Sequence, residues 1–300
     1  MSRSDIEKIH WIDRFLPQTA QDYIYLARLD RPIGVWLLLL PGLWAIALAA
    51  GGALSFNLTD YKLLLLFTIG AVVMRAAGCV VNDLWDRHLD IKVERTKDRP
   101  IAAGRISVPQ AIIFLAVLLG IGALILSRLS LVAILLGFLV LPLIVLYPLM
   151  KRWTWWPQAF LGITFNFGAL IGWAAVSGVL SLSALLLYVG GIFWTLGYDT
   201  IYALQDKEDD ELIGIKSLAR KLGDDCPRWI IGFYGAAFVC IAGAFLLADA
   251  GLFSHAALLF PALHFIYQIK KLDINNGDLA LSLFKANRDT GLLFLLAALV

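Results

Sequence analysis

The chain has 300 residues, 60% of them apolar and 16% charged, with a formal net charge of +2 and a mean hydropathy of +0.78. A soluble globular domain is excluded, because such domains run at about 45–50% apolar and about 25% charged residues. The composition predicts an integral membrane protein in contact with a lipid bilayer, and no nucleic-acid partner is expected.

Residues 1–30 carry charges throughout and have no apolar core with a small-residue cleavage site. They predict a cytoplasmic surface segment leading into the first span, not a secretory signal. Apolar runs then recur at about 33–50, 61–82, 109–127, 131–150, 157–180, 182–204, 229–248 and 251–269, each near the ~20 residues that cross a hydrocarbon core. A ninth, Gly291 to Val300, has only ten residues and predicts either a partial span or one cut short. Lipid offers no partner for backbone N–H and C=O groups, and these runs lack the alternation of barrel strands. The expected fold class is therefore all-α, a multi-pass transmembrane helical bundle with eight clear spans and a short ninth, forming one domain over residues 1–300. Cys79, Cys226 and Cys240 have neither zinc nor redox spacing.

Orientation is read from Lys and Arg. The amino-terminal segment and the loops after even-numbered spans hold 22 of the 25 basic residues, the opposite loops only Lys62 and Arg128, and Arg75 lies inside span two. That bias predicts a cytoplasmic amino terminus and cytoplasmic even loops. It does not explain why acidic residues crowd onto the same side, since carboxylates contribute little to topology.

The first acidic stretch is "CVVNDLWDRHLDIKVERTKDRP", Cys79 to Pro100, directly after span two. On a helix, Asn82, Asp86 and Asp90 follow the spacing i, i+4, i+8 and share one face, with Asp83 expected to point elsewhere. The second is "YDTIYALQDKEDDELIGIKS", Tyr198 to Ser217, after span six. There Tyr202, Asp206 and Asp210 repeat the spacing, and a base follows the middle aspartate in both copies, Arg87 after Asp86 and Lys207 after Asp206. Around the second copy, five carboxylates occupy the six positions from Asp206 to Glu211. Two like charges ~4 Å apart near a surface repel by roughly 4 kcal/mol, so such a cluster calls for cations. Mg²⁺ suits it, because it prefers oxygen ligands, takes one or two carboxylates and completes its shell with water and substrate phosphates. Oxygen donors argue against zinc or copper. The plain alternative is an acidic cap on solvated loops. Repetition of the spacing, the basic neighbour and the membrane side argues against it.

At these two stretches the chain resembles the UbiA family of intramembrane prenyltransferases, on the segments "NDLWDRHLD" and "DKEDD". Five further segments extend the likeness over residues 28–217: "RLDRPIGVWLLLLPGLW", "MRAAGCVVND", "RTKDRPIAAGRIS", "YPLMKRWTWWPQ" and the second acidic stretch itself. They point to the branch that prenylates 4-hydroxybenzoate in ubiquinone biosynthesis, and beyond them lies "FKANRDTG". The resemblance implies a nine-helix fold and two Mg²⁺ ions, one held by Asn82, Asp86 and Asp90, the other by Asp206 and Asp210. It implies Asp83, Asp90 and Asp199 as catalytic carboxylates, and Arg87, Lys151, Arg152, Lys207 and Tyr202 on the substrate side. The expected substrates are a polyprenyl diphosphate and 4-hydroxybenzoate. The donor loses pyrophosphate, the allylic cation attacks the ring ortho to the hydroxyl, and Asp90 or Asp83 takes the ring proton.

Four other features bear on this reading. Arg75 sits about two turns before Asn82, inside a span where a charge costs ~2.5–3.5 kcal/mol, so it is expected either to meet the benzoate carboxylate or to be a structurally paired arginine. Arg31 is expected at the rim. Asn166 is expected to make a helix-to-helix hydrogen bond. Trp36, Trp44, Phe165, Phe167, Trp173 and Trp194 are candidates to shelter a cation, with ordinary packing as the alternative for each. Two rival functions share the motifs: prenylation of another acceptor, such as a naphthoate, a homogentisate or haem, and cation transport, which places carboxylates nearer the midplane. The acidic leader points to a bacterial inner membrane with the site facing the cytoplasm.

Overall fold

The computed structural model describes Ile6 and residues 14–205 and 214–300, and every regular element among these is helical. A short helix, α1 (Gln18–Leu26), precedes α2 (Ile33–Ala49), α3 (Leu58–Asp90), α4 (Val108–Leu126) and α5 (Leu131–Trp153). The next crossing is made in two pieces, α6 (Pro157–Phe165) and α7 (Phe167–Ser177), followed by α8 (Leu182–Gln205). A single turn and a half, α9 (Leu218–Leu222), leads into α10 (Cys226–Leu247), and the pair α11 (Leu252–Ala257) and α12 (Leu259–Lys271) leads into α13 (Gly277–Leu299).

Seven helical stretches among the described residues are long and apolar enough to cross a membrane. They correspond to seven of the eight clear spans expected; the other, α2, has 17 residues, or roughly 26 Å of helix against a ~30 Å hydrocarbon core. The expected short ninth span is corrected: α13 is a continuous helix of 23 residues. Its first half is hidden from a hydropathy reading because Asp278, Lys285, Asn287, Arg288 and Asp289 interrupt the apolar pattern. Some of those side chains are turned into the bundle. Asn287 is fully buried; its amide oxygen accepts from Trp194 Nε1 at 2.8 Å and the Tyr234 hydroxyl at 3.2 Å, and its Nδ2 donates to Gln268 Oε1 at 2.9 Å. This network ties α8, α10, α12 and α13 together in a place where an unmet donor has no water to turn to. Asn287→Ala is expected to cost about 2 kcal/mol or more, read as a lower thermal unfolding midpoint in lipid nanodiscs.

The helix that carries the first acidic stretch is the longest. Asn57 and Asp60 start α3 with reciprocal bonds: Asn57 Oδ1 accepts from Asp60 N at 3.3 Å, and Asp60 Oδ2 from Asn57 N at 2.9 Å. Its 33 residues span roughly 50 Å, well over the hydrocarbon thickness, so the acidic last turns extend past the apolar run that precedes them. Beside α3, backbones make a close seam. A Cβ on Gly172 would lie 2.6 Å from the Gly42 carbonyl oxygen, so α2 and α7 touch main chain to main chain. The break between α6 and α7 falls at Asn166, whose Nδ2 donates to Gly162 O at 2.8 Å and across to Thr195 Oγ1 at 2.9 Å. That second bond is the helix-to-helix contact expected of it.

Candidate active site

One cavity of about 1560 Å³ runs through the bundle. Most of its wall is apolar, supplied by α2 to α7, while one end is lined by Arg28, Arg31, Asn82, Arg95, Arg99, Asp199, Tyr202 and Lys285. A smaller hollow of about 200 Å³ shares Asn82, Arg95, Arg99, Tyr147, Asp199 and Tyr202 with it and adds Asp90, Lys151 and Gln158.

The end of α3 forms the floor of this polar region. Asp83, Asp86 and Asp90 are 2%, 1% and 6% exposed, and each is met by cations. Asp83 accepts from Arg28 at 2.7 Å and from Arg99 at 3.4 Å. Asp90 accepts from the same Arg99 nitrogen with both oxygens, at 3.1 Å each. Asp86 is held from the end of α5 by Lys151 and by Arg152 at 3.1 Å. Asp83 is therefore not turned away from the stripe, as the spacing argument expected. Seven residues advance a helix by ~20° less than two full turns, so Asp83 and Asp90 nearly eclipse, and Asp86 falls between them. Asn82 is half-buried at the edge of this row, where it faces both cavities.

The cations reach this row by distinct routes. Arg28 has a left-handed backbone, φ 54°, a conformation that costs a non-glycine residue about 1–2 kcal/mol. The strained turn after α1 is what aims its guanidinium at Asp83. Arg95 and Arg99 come from the turn-rich segment after α3, anchored where Thr96 Oγ1 donates to the Asp90 carbonyl at 3.0 Å. Arg95 also donates to the Tyr202 hydroxyl at 3.2 Å, and the Tyr202 ring packs on Phe284 of α13 at 4.7 Å. Segment 91–107, α8 and α13 thus close on the same end of the cavity.

The remaining expected residues divide clearly. Asp199 and Tyr202 line both cavities, Arg31 and Arg75 the larger, and Lys151 the smaller. Arg87 Nη1 donates to Leu84 O of its own helix at 2.8 Å, and Arg87 lines neither cavity, as is also true of Asp83 and Asp86. Arg152 meets Asp86 and Trp85 O from outside the cavities. Asp206, Lys207 and Asp210 lie outside the described residues; α8 is described to Gln205, which lines the large cavity. Of the six aromatic candidates, Phe165 and Phe167 line the cavity. Trp44, Trp173 and Trp194 are core, Trp44 Nε1 donating to Gly291 O at 2.7 Å, and Trp36 packs against that core. Arg28, Arg95, Arg99 and Lys285 are the basic residues that the motif reading passed over. Arg95 and Arg99 stand in "RTKDRPIAAGRIS", Arg28 in "RLDRPIGVWLLLLPGLW" and Lys285 in "FKANRDTG", segments that carried the resemblance without marking these bases.

Among the described residues no three His, Cys, Asp or Glu side chains gather into a preformed metal cluster. The donor set nevertheless fits a hard cation. It offers several buried carboxylate oxygens and the Asn82 amide, while His88, inside the same motif, is exposed and lines neither cavity. Mg²⁺ needs only one or two of those carboxylates, with Arg and Lys as their partners in its absence.

Asn82 and Asp199 stand with Arg28, Arg31, Arg95, Arg99 and Lys285 at one end of an apolar-walled cavity, Asp90 lines the small hollow beside it, and Asp83 and Asp86 lie buried behind, an arrangement suited to an anionic headgroup on an apolar body. The chain belongs to the UbiA prenyltransferase family, whose profile matches residues 38–296. It is 46% identical over 91% of its length to "4-hydroxybenzoate polyprenyltransferase, mitochondrial" of Arabidopsis thaliana, and 47% identical over 93% of its length to the protein of the same name from Rattus norvegicus. The chain spans 66% and 74% of those two proteins. The fold matches that of a UbiA homologue from Aeropyrum pernix K1 without ligand, with a TM-score of 0.72 at 23% identity over 87% of this chain and 96% of that one. A UbiA homologue from Archaeoglobus fulgidus bound to GPP and Mg²⁺ matches with a TM-score of 0.66 at 17% identity, over 93% and 99%.

Proposed function

We propose that the protein transfers a polyprenyl group from a polyprenyl diphosphate to the ring carbon ortho to the hydroxyl of 4-hydroxybenzoate, releasing pyrophosphate, as a step in ubiquinone biosynthesis. The observation that carries this reading is the junction of two chemistries in one cavity. An apolar volume suited to an isoprenoid meets a polar end lined by Arg28, Arg95, Arg99 and Lys285, of which Arg28 and Arg99 also hold the buried Asp83 and Asp90. The relatives' printed names supply the acceptor, and the Archaeoglobus protein's bound GPP and Mg²⁺ supply the precedent for donor and metal.

In this reading Asn82, Asp86 and Asp90 hold one Mg²⁺, and Asp206 and Asp210 a second. Bound there, Mg²⁺ supplies positive charge against the leaving pyrophosphate. The chain's own residues do the rest. Arg95, Arg99 and Lys285 bind the diphosphate from the rim, with Lys151 below and Arg31 beside them. Apolar walls keep water from the allylic cation, and the Phe165 and Phe167 ring faces turn toward it. Arg75 meets the acceptor's carboxylate in the cavity's interior. The ring proton passes to a carboxylate of the α3 row, Asp90 or Asp83, with Asp199 on the facing wall. The basic-residue asymmetry supports a cytoplasmic site. The bacterial inner membrane stays part of the proposal, set beside relatives whose names say mitochondrial.

The test is a vesicle assay with polyprenyl diphosphate and a panel of aromatic acceptors, with Mg²⁺ and with chelator. Transfer to 4-hydroxybenzoate in preference to naphthoate and homogentisate, lost on chelation, is the expected result. Transfer to a different member of the panel replaces the acceptor, and Mg²⁺-independent turnover removes the metal.

A further inference from the structure

Arg75 projects from the middle of α3 into the large cavity, half-buried, and is bounded on two sides. On one side lies Gly34 of α2. A Cβ built there would overlap the guanidinium, falling 2.8 Å from Nη2 and 2.9 Å from Cζ. On the other, the Phe165 ring at the end of α6 lies with its centroid 5.4 Å from Arg75 Cζ. Gly34, Arg75 and Phe165 all line the large cavity. A guanidinium is a planar fork whose value lies in its orientation, since two parallel N–H groups meet a carboxylate only when the plane is set. Unclamped, a long side chain in an apolar cavity turns toward whatever polar rim it reaches.

We propose that Gly34 and Phe165 are positioning residues for acceptor specificity. Together they form a slot, one wall bare backbone and the other an aromatic face, that orients the Arg75 fork toward the carboxylate of an aromatic acid. Gly34 matters here for the absence of a side chain: its φ lies outside the left-handed range, so alanine suits the backbone, and its methyl group would displace the guanidinium from this position. The Phe165 face adds cation–π attraction in a place without competing water. This proposal rests on the reading of Arg75 as the carboxylate's partner.

The experiment uses the full chain in lipid vesicles and measures KM and kcat for polyprenyl diphosphate, for 4-hydroxybenzoate and for its methyl ester, which keeps the ring and hydroxyl but not the negative charge. For Gly34→Ala the KM for the acid is expected to rise about tenfold or more. Its KM for the diphosphate should stay within about twofold, and the preference for acid over ester should collapse. Phe165→Leu should move the same ratio in the same direction by a smaller factor, and it decides the matter if Gly34→Ala does not insert. On an Arg75→Ala background, Gly34→Ala should change the acid KM by less than about twofold, because the group it displaces is gone. If Arg75→Ala destroys the acid preference while Gly34→Ala and Phe165→Leu leave it intact, the slot is wrong and the arginine's role stands. If Arg75→Ala leaves the preference intact, the underlying reading falls as well. Equal losses for diphosphate, acid and ester reduce Gly34 to a packing residue and overturn the proposal.

Discussion

Asp86→Asn is expected to lower prenyl transfer by roughly 1,000-fold or more while the protein still inserts. Asp86 is 1% exposed, in the middle of the α3 row, with Lys151 and Arg152 on its two oxygens. Asparagine keeps its shape and removes its charge. Breaking a buried ion pair ordinarily costs about 3–5 kcal/mol, because the partner is stranded. Here the partners are not stranded: the Lys151 and Arg152 side chains are 26% and 38% exposed and can turn to water. Activity and stability should therefore part company. The measurement is turnover in vesicles beside protease protection of the inserted chain; a near-normal rate in well-inserted protein removes Asp86 from the proposed metal site.

The second large effect is expected at Arg99. Its guanidinium is the shared cation of Asp83 and Asp90, and its side chain is 10% exposed, so it has no comparable route to water. Arg99→Met takes the guanidinium from buried Asp90 while Asp83 keeps Arg28, at a cost of about 3–5 kcal/mol, which corresponds to a midpoint roughly 10 °C lower. That loss should appear in full with chelator present and be largely recovered in millimolar Mg²⁺, because a divalent ion can neutralise the same oxygens. Wild-type protein, with Arg99 in place, should gain less from Mg²⁺. Thermal unfolding in nanodiscs with and without the ion reads both. If the variant gains no more than wild type, these carboxylates do not take the metal.

Much of this arrangement was legible before any coordinates. Eight apolar runs predicted a helical bundle, and the terminus of α3 was marked by an acidic pattern that hydropathy alone would not place there. The errors have simple physical causes. Asp83 was set aside by counting fours, although threes and sevens share the same helix face, and burial gathered all three aspartates. Arg87 adjoins Asp86 in sequence, but neighbours along a helix diverge by ~100°, and the cations that meet Asp86 come from the end of α5. The bases that meet the row arrive from a turn after α1 and from the segment after α3, and no local pattern specifies where such segments dock. Half of α13 escaped detection because a helix facing a polar interior need not be apolar along its length. The Gly34 slot was out of reach for another reason. A glycine in sequence does not announce which neighbour occupies its missing volume.

The seam between α2 and α7 has one more consequence. Where main chain rests on main chain at Gly42 and Gly172, there is no layer of side chains to rearrange, and neither helix can roll without a backbone collision. The slot glycine stands two turns from that junction on the same helix, so the fixed seam also stiffens the floor beneath Arg75. Any breathing that admits a long isoprenoid must come from other walls of the bundle. The least buried of the long helices is α4, where only Ala111 and Leu118 are buried. α2 is thus a fixed rail: it sets where Gly34 stands, and with it the volume left to the guanidinium.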